Sequence, residues 1–495
     1  MLKNWQSHQE YASLLHEAKV RSDSSFRNRL HDLRSVQAKL SALDLDPVFE
    51  YLKPLYSDIG RPAINQVQIL RSFILFCLLR SMGRINCGLT TWANSILPND
   101  PVYLALAGVF RSGPPPLGSY FDFMNRLWLV RDRSRYSRNC LFADYKNRKK
   151  PERPDGKGQK AKDHPGIVGK LVPHLMDGGN VANPEALLQK VLFLSAVLPS
   201  QELGLIPGSG LTVSGDGTAV HTHSSPFGHS SKHEAAANTP FVPRHYSDPD
   251  ASCGWDSDID DYYFGYSLYH ISTYNAEAKV DLPIICRFTH AKRHDSVSGV
   301  ITLHQLHKNF PEVRMSNVCL DSAHDNYQTY DMLESWGVTP FIDLNTHGKS
   351  LGDPVSGLML DKDGSPLCPS GERMTYYGYD RTKRSFKWRC PFATGKIGRC
   401  SYKCMNPSEY GMTVYTKTGT DKRLYPPVPR GTEAWDEVYK KRTCSERINN
   451  RILNNYGLHS MRIHGFDHYS FMTMAICICI HLDAWYKTGK IARIQ

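Results

Sequence analysis

The chain has 495 residues, 41% of them hydrophobic, and carries 60 Lys and Arg against 48 Asp and Glu, a formal net charge of +12. Such a length supports about two to four domains with a sizeable core, and the ordinary apolar content excludes a largely disordered chain. The basic balance points to an anionic partner, nucleic acid before an anionic membrane surface, with a basic enzyme lacking such a partner as the alternative. The opening Met1-Leu-Lys-Asn-Trp-Gln-Ser-His lacks the apolar core of a signal peptide. No stretch reaches the ~18 apolar residues of a membrane span, so no membrane partner is expected. The thirteen cysteines, without a secretion signal, are expected as reduced thiols in a cytoplasm.

Residues 1–130 read as a helical module. Gln66 to Arg80 has a broad apolar stripe after Arg61-Pro62, and Gly113-Pro-Pro-Pro116 breaks the pattern before helical spacing resumes from Ser119 to Trp128. Residues 131–200 read as a basic linker. Its first part, Arg131 to Lys162, holds twelve Lys/Arg against four Asp/Glu, suited to a solvated tether or to sequence-independent contact with a DNA backbone.

From about 201 the periodicity turns to strands. Leu211 to Val220, Tyr262 to Ser272 and Leu282 to Thr289 are β-prone, the last two expected to pair. Val297 to Phe310 is helical, Asn317 to Asp321 a short apolar strand ending in a carboxylate, Tyr327 to Trp336 a helix closed by Gly337, and Val338 to Ile342 a further strand. Residues 346–431 break this rhythm, being rich in Gly, Pro, Lys and Arg, and read as a basic, Cys-containing insertion. Residues 432–495 return to helix. Within them Tyr439, Arg442, Glu446, Asn449 and Leu453 fall along one helical face. A carboxylate flanked by arginine and asparagine one turn away suits metal binding near phosphate.

Three carboxylates then stand out: Asp216 on the first strand, Asp321 on a later strand and Glu446 on a helix. A mixed α/β layer fold brings a helix-borne carboxylate onto strand-borne ones. Three such groups can hold two Mg²⁺ or Mn²⁺ ions about 3.5–4 Å apart. Each residue also has a plainer explanation. Asp216 between two glycines suits a turn, Asp325 competes with Asp321, and Glu446 suits a surface ion pair with Arg442 or Arg447.

Together these stretches resemble an insertion-sequence DDE transposase with an RNase H-like core. The resemblance rests on Ser214-Gly-Asp216-Gly-Thr218, Gly265 to His270 with Leu282-Pro283 and His294-Asp295-Ser296, Cys319-Leu-Asp321-Ser-Ala-His-Asp325, and Tyr439-x-x-Arg442-x-x-x-Glu446, supported upstream by Arg61-Pro62 and Phe121-x-Phe123. It implies an α/β, RNase H-like mixed sheet with flanking helices, split by the insertion. It further implies Asp216, Asp321 and Glu446 as catalytic metal ligands for two Mg²⁺ or Mn²⁺ ions. Tyr439, Arg442, Arg447, Asn449 and His324 become supporting or phosphate-contacting groups. The implied partners are double-stranded DNA, as terminal inverted repeats and target, and a second subunit in a synaptic dimer; the implied location is cytoplasmic and nucleoid-associated. A metal-dependent nuclease without strand transfer and a captured DNA-binding protein that no longer cuts are the alternatives. The sequence departs from some relatives at Leu453, where they carry a lysine seven residues after the glutamate; Arg447 and Arg451 lie nearby.

Two further groups stand outside this set. Cys368, Cys390, Cys400 and Cys404 lie within 37 residues, open to a structural Zn²⁺ or to unliganded thiols. His221, His223, His229 and His233 follow Asp216 in a polar loop, read as mobile surface in preference to a metal site.

Overall fold

The computed structural model describes residues 2, 5–128, 166–230, 244–346, 348–398, 400, 404 and 409–492. Five strands build the main sheet: β1 (Leu211–His221), β2 (Asp261–Asn275), β3 (Val280–His290), β4 (Met315–Leu320) and β5 (Thr339–Ile342). Their spatial order is β3-β2-β1-β4-β5, with a short sixth strand, Ser252–Asp256, paired to the start of β2. β2 runs antiparallel to both β1 and β3, whereas β1, β4 and β5 run parallel. The expected pairing of the second and third strands is therefore present. Parallel strands need cover on both faces, and Val318, Cys319 and Leu320 of β4 are accordingly all buried.

The cover comes from helices. α1 (Gln66–Ser81) precedes the sheet; α2 (Asp295–Asn309) and α3 (Tyr327–Ser335) lie among its later strands; α4 (Glu433–Tyr439), α5 (Thr443–Asn450) and α6 (Phe466–Lys487) follow the insertion. α1 and α6 are apolar around almost their whole circumference, which suits helices enclosed on all sides. α6 lies between sheet and N-terminal helices. His481 Nε2 donates to the Pro283 carbonyl of β3 at 2.7 Å, while Phe471 meets Phe73 of α1 at a ring-centroid distance of 4.5 Å. One hydrophobic core consequently runs through the N-terminal helices and the sheet. The N-terminal module is helical as expected, yet it shares its core with the rest of the chain. Among the described residues no helix is long and apolar enough to cross a membrane.

The segment expected as linker differs from that expectation in its second half. Ile167–Met176, Ala186–Leu192 and Leu198–Glu202 are helices. Val172, Leu175, Leu188 and Leu192 recur at helical spacing and are buried, so this stretch packs into the core. Residues 129–165, including all of that basic run, lie outside the described residues, as does His233. The face from Tyr439 to Leu453 also departs from one continuous helix. A 3₁₀ turn, Lys440–Arg442, separates α4 from α5, and a π turn, Arg451–Asn455, follows.

The insertion has its own small core around Met374, Phe386, Trp388 and Tyr425. A three-stranded antiparallel sheet organises it: β6 (Thr375–Asp380), β7 (Ser385–Arg389) and β8 (Thr413–Lys417). Arginines anchor it to the main sheet. Arg423 pairs with the buried Asp325 at 2.7 Å, and Arg430 donates to the Ile342 carbonyl and the Tyr330 hydroxyl, each at 2.8 Å.

Because Phe471 joins two halves of one core, Phe471→Ala is expected to cost about 3–5 kcal/mol and to move a single urea transition to lower denaturant. Two separate transitions, with the N-terminal helices melting alone, would show that the shared core does not make the halves cooperative.

Candidate active site

β1 and β4 pair in parallel with Ser214 opposite Cys319. Two residues further along stand Asp216, within β1, and Asp321, just past the end of β4, so the register sets them side by side. Asp216 is a mid-strand residue, not a turn. The glycines around it answer to close packing on the opposite face. A Cβ on Gly215 would lie 2.4 Å from the Tyr269 hydroxyl, and one on Gly217 would lie 2.3 Å from Asp295 Oδ1.

α5 is fastened over the Asp216 side of β1. Ser214 Oγ lies 2.8 Å from Ser445 Oγ and donates to the Arg442 carbonyl at 3.0 Å. One turn on, Asn449 Nδ2 donates to Asp216 Oδ2 at 2.9 Å, and Asn449 Oδ1 accepts from His270 Nε2 at 2.8 Å. His270 sits opposite Asp216 on β2. Burial, opposed by its hydrogen bonds, drives the His270 imidazole down to about 4, so it is neutral at pH 7. Its Nε2–H fixes the Asn449 amide with the NH₂ toward Asp216. Asn449, expected as a supporting or phosphate group, thus orients the first carboxylate.

Asp321 is held from the other side. His324 Nδ1 donates to Asp321 Oδ1 at 2.6 Å, the Ala323 N–H donates to the same oxygen at 3.1 Å, and Tyr269 Oη lies 2.9 Å from His324 Nε2. Burial alone would raise the Asp321 carboxyl, but the His324 hydrogen bond and charge, the Ala323 N–H and Arg442 outweigh it and hold it below the usual range. Asp325 is fully committed elsewhere, accepting from Arg423, the Tyr330 hydroxyl and the Asn345 N–H. That geometry favours Asp321 over Asp325 as the second carboxylate of the cluster.

Glu446 stands on the exposed side of α5 with Oε1 2.6 Å from Arg442 Nη2, its side chain 52% exposed. Partial burial works against the Arg442 charge, yet Tyr439, Glu446, Asp216 and Asp321 together hold it protonated above its ordinary range. Arg442 is therefore the one guanidinium of the signature turned into the carboxylate cluster. Arg447 instead grips Asp281 through Nε and Nη2 at 2.8 and 2.6 Å, Arg451 pairs with Asp483 at 2.7 Å, and Leu453 is buried. Neither arginine replaces the missing lysine. Tyr439 stacks on Trp435 and donates to Asp343 Oδ2 at 2.6 Å, a packing role beside the cluster.

The carboxylates repel one another. Burial first, then Asp321, Asp295 and Glu446, push the Asp216 carboxyl up to about 7 against the pull of Arg442. Asp295, at the start of α2, is raised by burial and by Asp321, with His324 and His294 opposing. Among the described residues no three His, Cys, Asp or Glu side chains converge tightly enough to hold a metal as they stand. The donor chemistry nonetheless fits a hard divalent ion: oxygen groups only, around a half-buried Asp216 that neighbouring carboxylates push toward its neutral form. Glu446, paired with Arg442, would have to turn away from it to join such a set.

Sequence reasoning missed His270, Tyr269 and the electrostatic part of Asp295. Their link to the cluster is set by cross-strand register and by α2 packing under Gly217, and neither leaves a local sequence signal. The insertion cysteines gather: burial and the thiols of Cys400, Cys390 and Cys368 raise Cys404 above the ordinary thiol range. His221 pairs with Asp256 at 2.8 Å and stacks on Tyr263.

The raised Asp216 carboxyl makes a stability prediction. The folded chain keeps this proton up to about pH 7, whereas the unfolded chain releases it near 3.8. The contribution of this group is present at low pH and lost as pH rises through that window. In EDTA, Asp216→Asn should be more stable than the parent protein at pH 8 and should lack this fall, as read by chemical denaturation at a series of pH values. A parent curve identical to the variant's would contradict the buried, repelled carboxylate. Compared with protein-family models and with curated proteins, the chain matches none.

Proposed function

We propose that this protein is a DNA transposase of the DDE type with an RNase H-like core. The observation that carries the proposal is the adjacency of Asp216 and Asp321 across the parallel β1–β4 pair with Glu446 one helix away. The sheet order β3-β2-β1-β4-β5, with β2 alone reversed, supports it, as does the insertion between β5 and the Glu446 helix. Asp216, Asp321 and Glu446 would hold two Mg²⁺ or Mn²⁺ ions, which when bound activate the attacking oxygen and neutralise the leaving one.

The remaining work belongs to side chains. Asn449, set by His270, aims Asp216; His324 and the Ala323 N–H aim Asp321; Arg442 is left to face a phosphate once Glu446 turns inward. Pre-set ligands lower the reorganisation needed when DNA enters. The enzyme would hydrolyse a phosphodiester at an element end, freeing a 3′-OH, and that hydroxyl would then attack target DNA in line. The partners are terminal inverted repeats, target duplex and a second subunit in the synaptic complex.

A Mg²⁺-dependent cleavage and strand-transfer assay on the DNA ends flanking the gene tests this. Asp216→Asn, Asp321→Asn and Glu446→Gln are each expected to abolish both steps while leaving DNA binding intact. Full cleavage by any of the three would remove that residue from the site. Cleavage without joining would assign a nuclease, and binding without either step a captured protein. Asn449→Ala, which removes only the orienting amide, is expected to slow cleavage about 10–100-fold.

A further inference from the structure

The outer face of the insertion sheet carries cations held by tyrosines and not by carboxylates. Phe386 and Trp388 of β7 and Val414 of β8 turn inward to the small core. Strand alternation sends Lys387 and Arg389 of β7 to the opposite face, where Lys387 pairs with Tyr415 of β8 and Arg389 with Thr413. Tyrosines interleave with these cations. The Arg389 guanidinium lies 3.5 Å from the Tyr410 ring centroid and 4.5 Å from that of Tyr377, and Lys383 Nζ lies 3.8 Å from the Tyr415 centroid. Lys387 Nζ donates to the Tyr410 hydroxyl at 2.8 Å. Tyr377 and Tyr410 remain 51% and 44% exposed.

Among the described residues none of Lys383, Lys387, Arg389 and Lys417 has a carboxylate within ion-pair distance. Elsewhere in the insertion, Arg373, Lys422 and Arg423 are all paired with Asp or Glu. A cationic sheet face with planar rings between the charges, in a chain of net charge +12, is complementary to a polyanion with a regular charge spacing. We infer that this face binds the phosphodiester backbone of double-stranded DNA, without reading its sequence. Lys383, Lys387 and Lys417 would neutralise phosphates, and the tyrosines, braced by Arg389 and Lys387, would keep those cations extended over the strand. The inference rests on reading the protein as DNA-acting. It adds an element that the carboxylate cluster does not require.

The test uses the full-length protein in EDTA, which separates binding from catalysis. The probe is a fluorescein-labelled 30-base-pair duplex of arbitrary sequence, followed by anisotropy across a salt series. Lys383→Gln/Lys387→Gln/Lys417→Gln removes two exposed cations and the half-buried Lys387, and spares Arg389, which donates to the Tyr410 carbonyl. The triple variant is expected to bind about tenfold or more weakly and to lose roughly 2–3 from the slope of log K against log salt, near 0.9 for each phosphate contact removed. An unchanged affinity and slope, or no binding by the parent protein, would overturn the inference. An equal loss of binding to polyglutamate would overturn it too, by showing a general anion surface. If the parent binds as expected but never cuts element ends, the transposase proposal fails while this one stands. If the triple variant binds normally and the parent cuts, the reverse holds.

Discussion

The parallel pairing of β1 with β4 is the constraint on which the rest of this structure depends. It sets Asp216 of β1 beside Asp321, just past the end of β4, and partly buried like charges so placed are costly unless something compensates them. The surroundings are arranged around that cost. Asp321 is compensated by His324 and a backbone N–H. Asp216 receives only one amide N–H from Asn449 and carries the strain as a carboxyl raised to about 7. Such an imbalance has little use in a purely structural ion network, where one charge is normally paired with another. Carboxyls raised in this way concentrate at functional sites.

The same pairing decides how α5 must sit. Ser214 and Ser445 form a small polar seam between strand and helix, allowing the helix to approach closely enough for Asn449 to reach Asp216. On the reverse face Gly215 and Gly217 provide room for the Tyr269 hydroxyl and Asp295. Small residues on both faces of one short strand segment let four elements converge there. Bulk at any of them would push apart the groups that hold the two aspartates.

The insertion is joined to this centre by a direct route. Asp325, four residues after Asp321, is buried and paired with Arg423 of the insertion, and Arg430 fastens the same unit to the end of β5. A buried pair of this kind contributes little net stability but is expensive to break. Its effect is to fix where the insertion stands relative to the second aspartate. A cationic face carried on that unit is held at a set distance from the carboxylates instead of swinging on its tethers.

Alternation, apolar runs and caps made most elements legible in the sequence: the strands at Tyr262 to Ser272 and Leu282 to Thr289, the strand ending at Asp321, the helix closed by Gly337 and the apolar-striped helix from Gln66 to Arg80. The order of the carboxylates along the chain was legible as well. These features are local, written within about ten residues by the 2.0 and 3.6 periodicities. What the tertiary structure alone decided is which groups act on which. The commitment of Asp325 to Arg423, the loss of Arg447 and Arg451 to Asp281 and Asp483, and the His270–Asn449–Asp216 chain all join residues far apart in sequence. Register and packing set such partners, and a single sequence records the side chains without recording the distances between them.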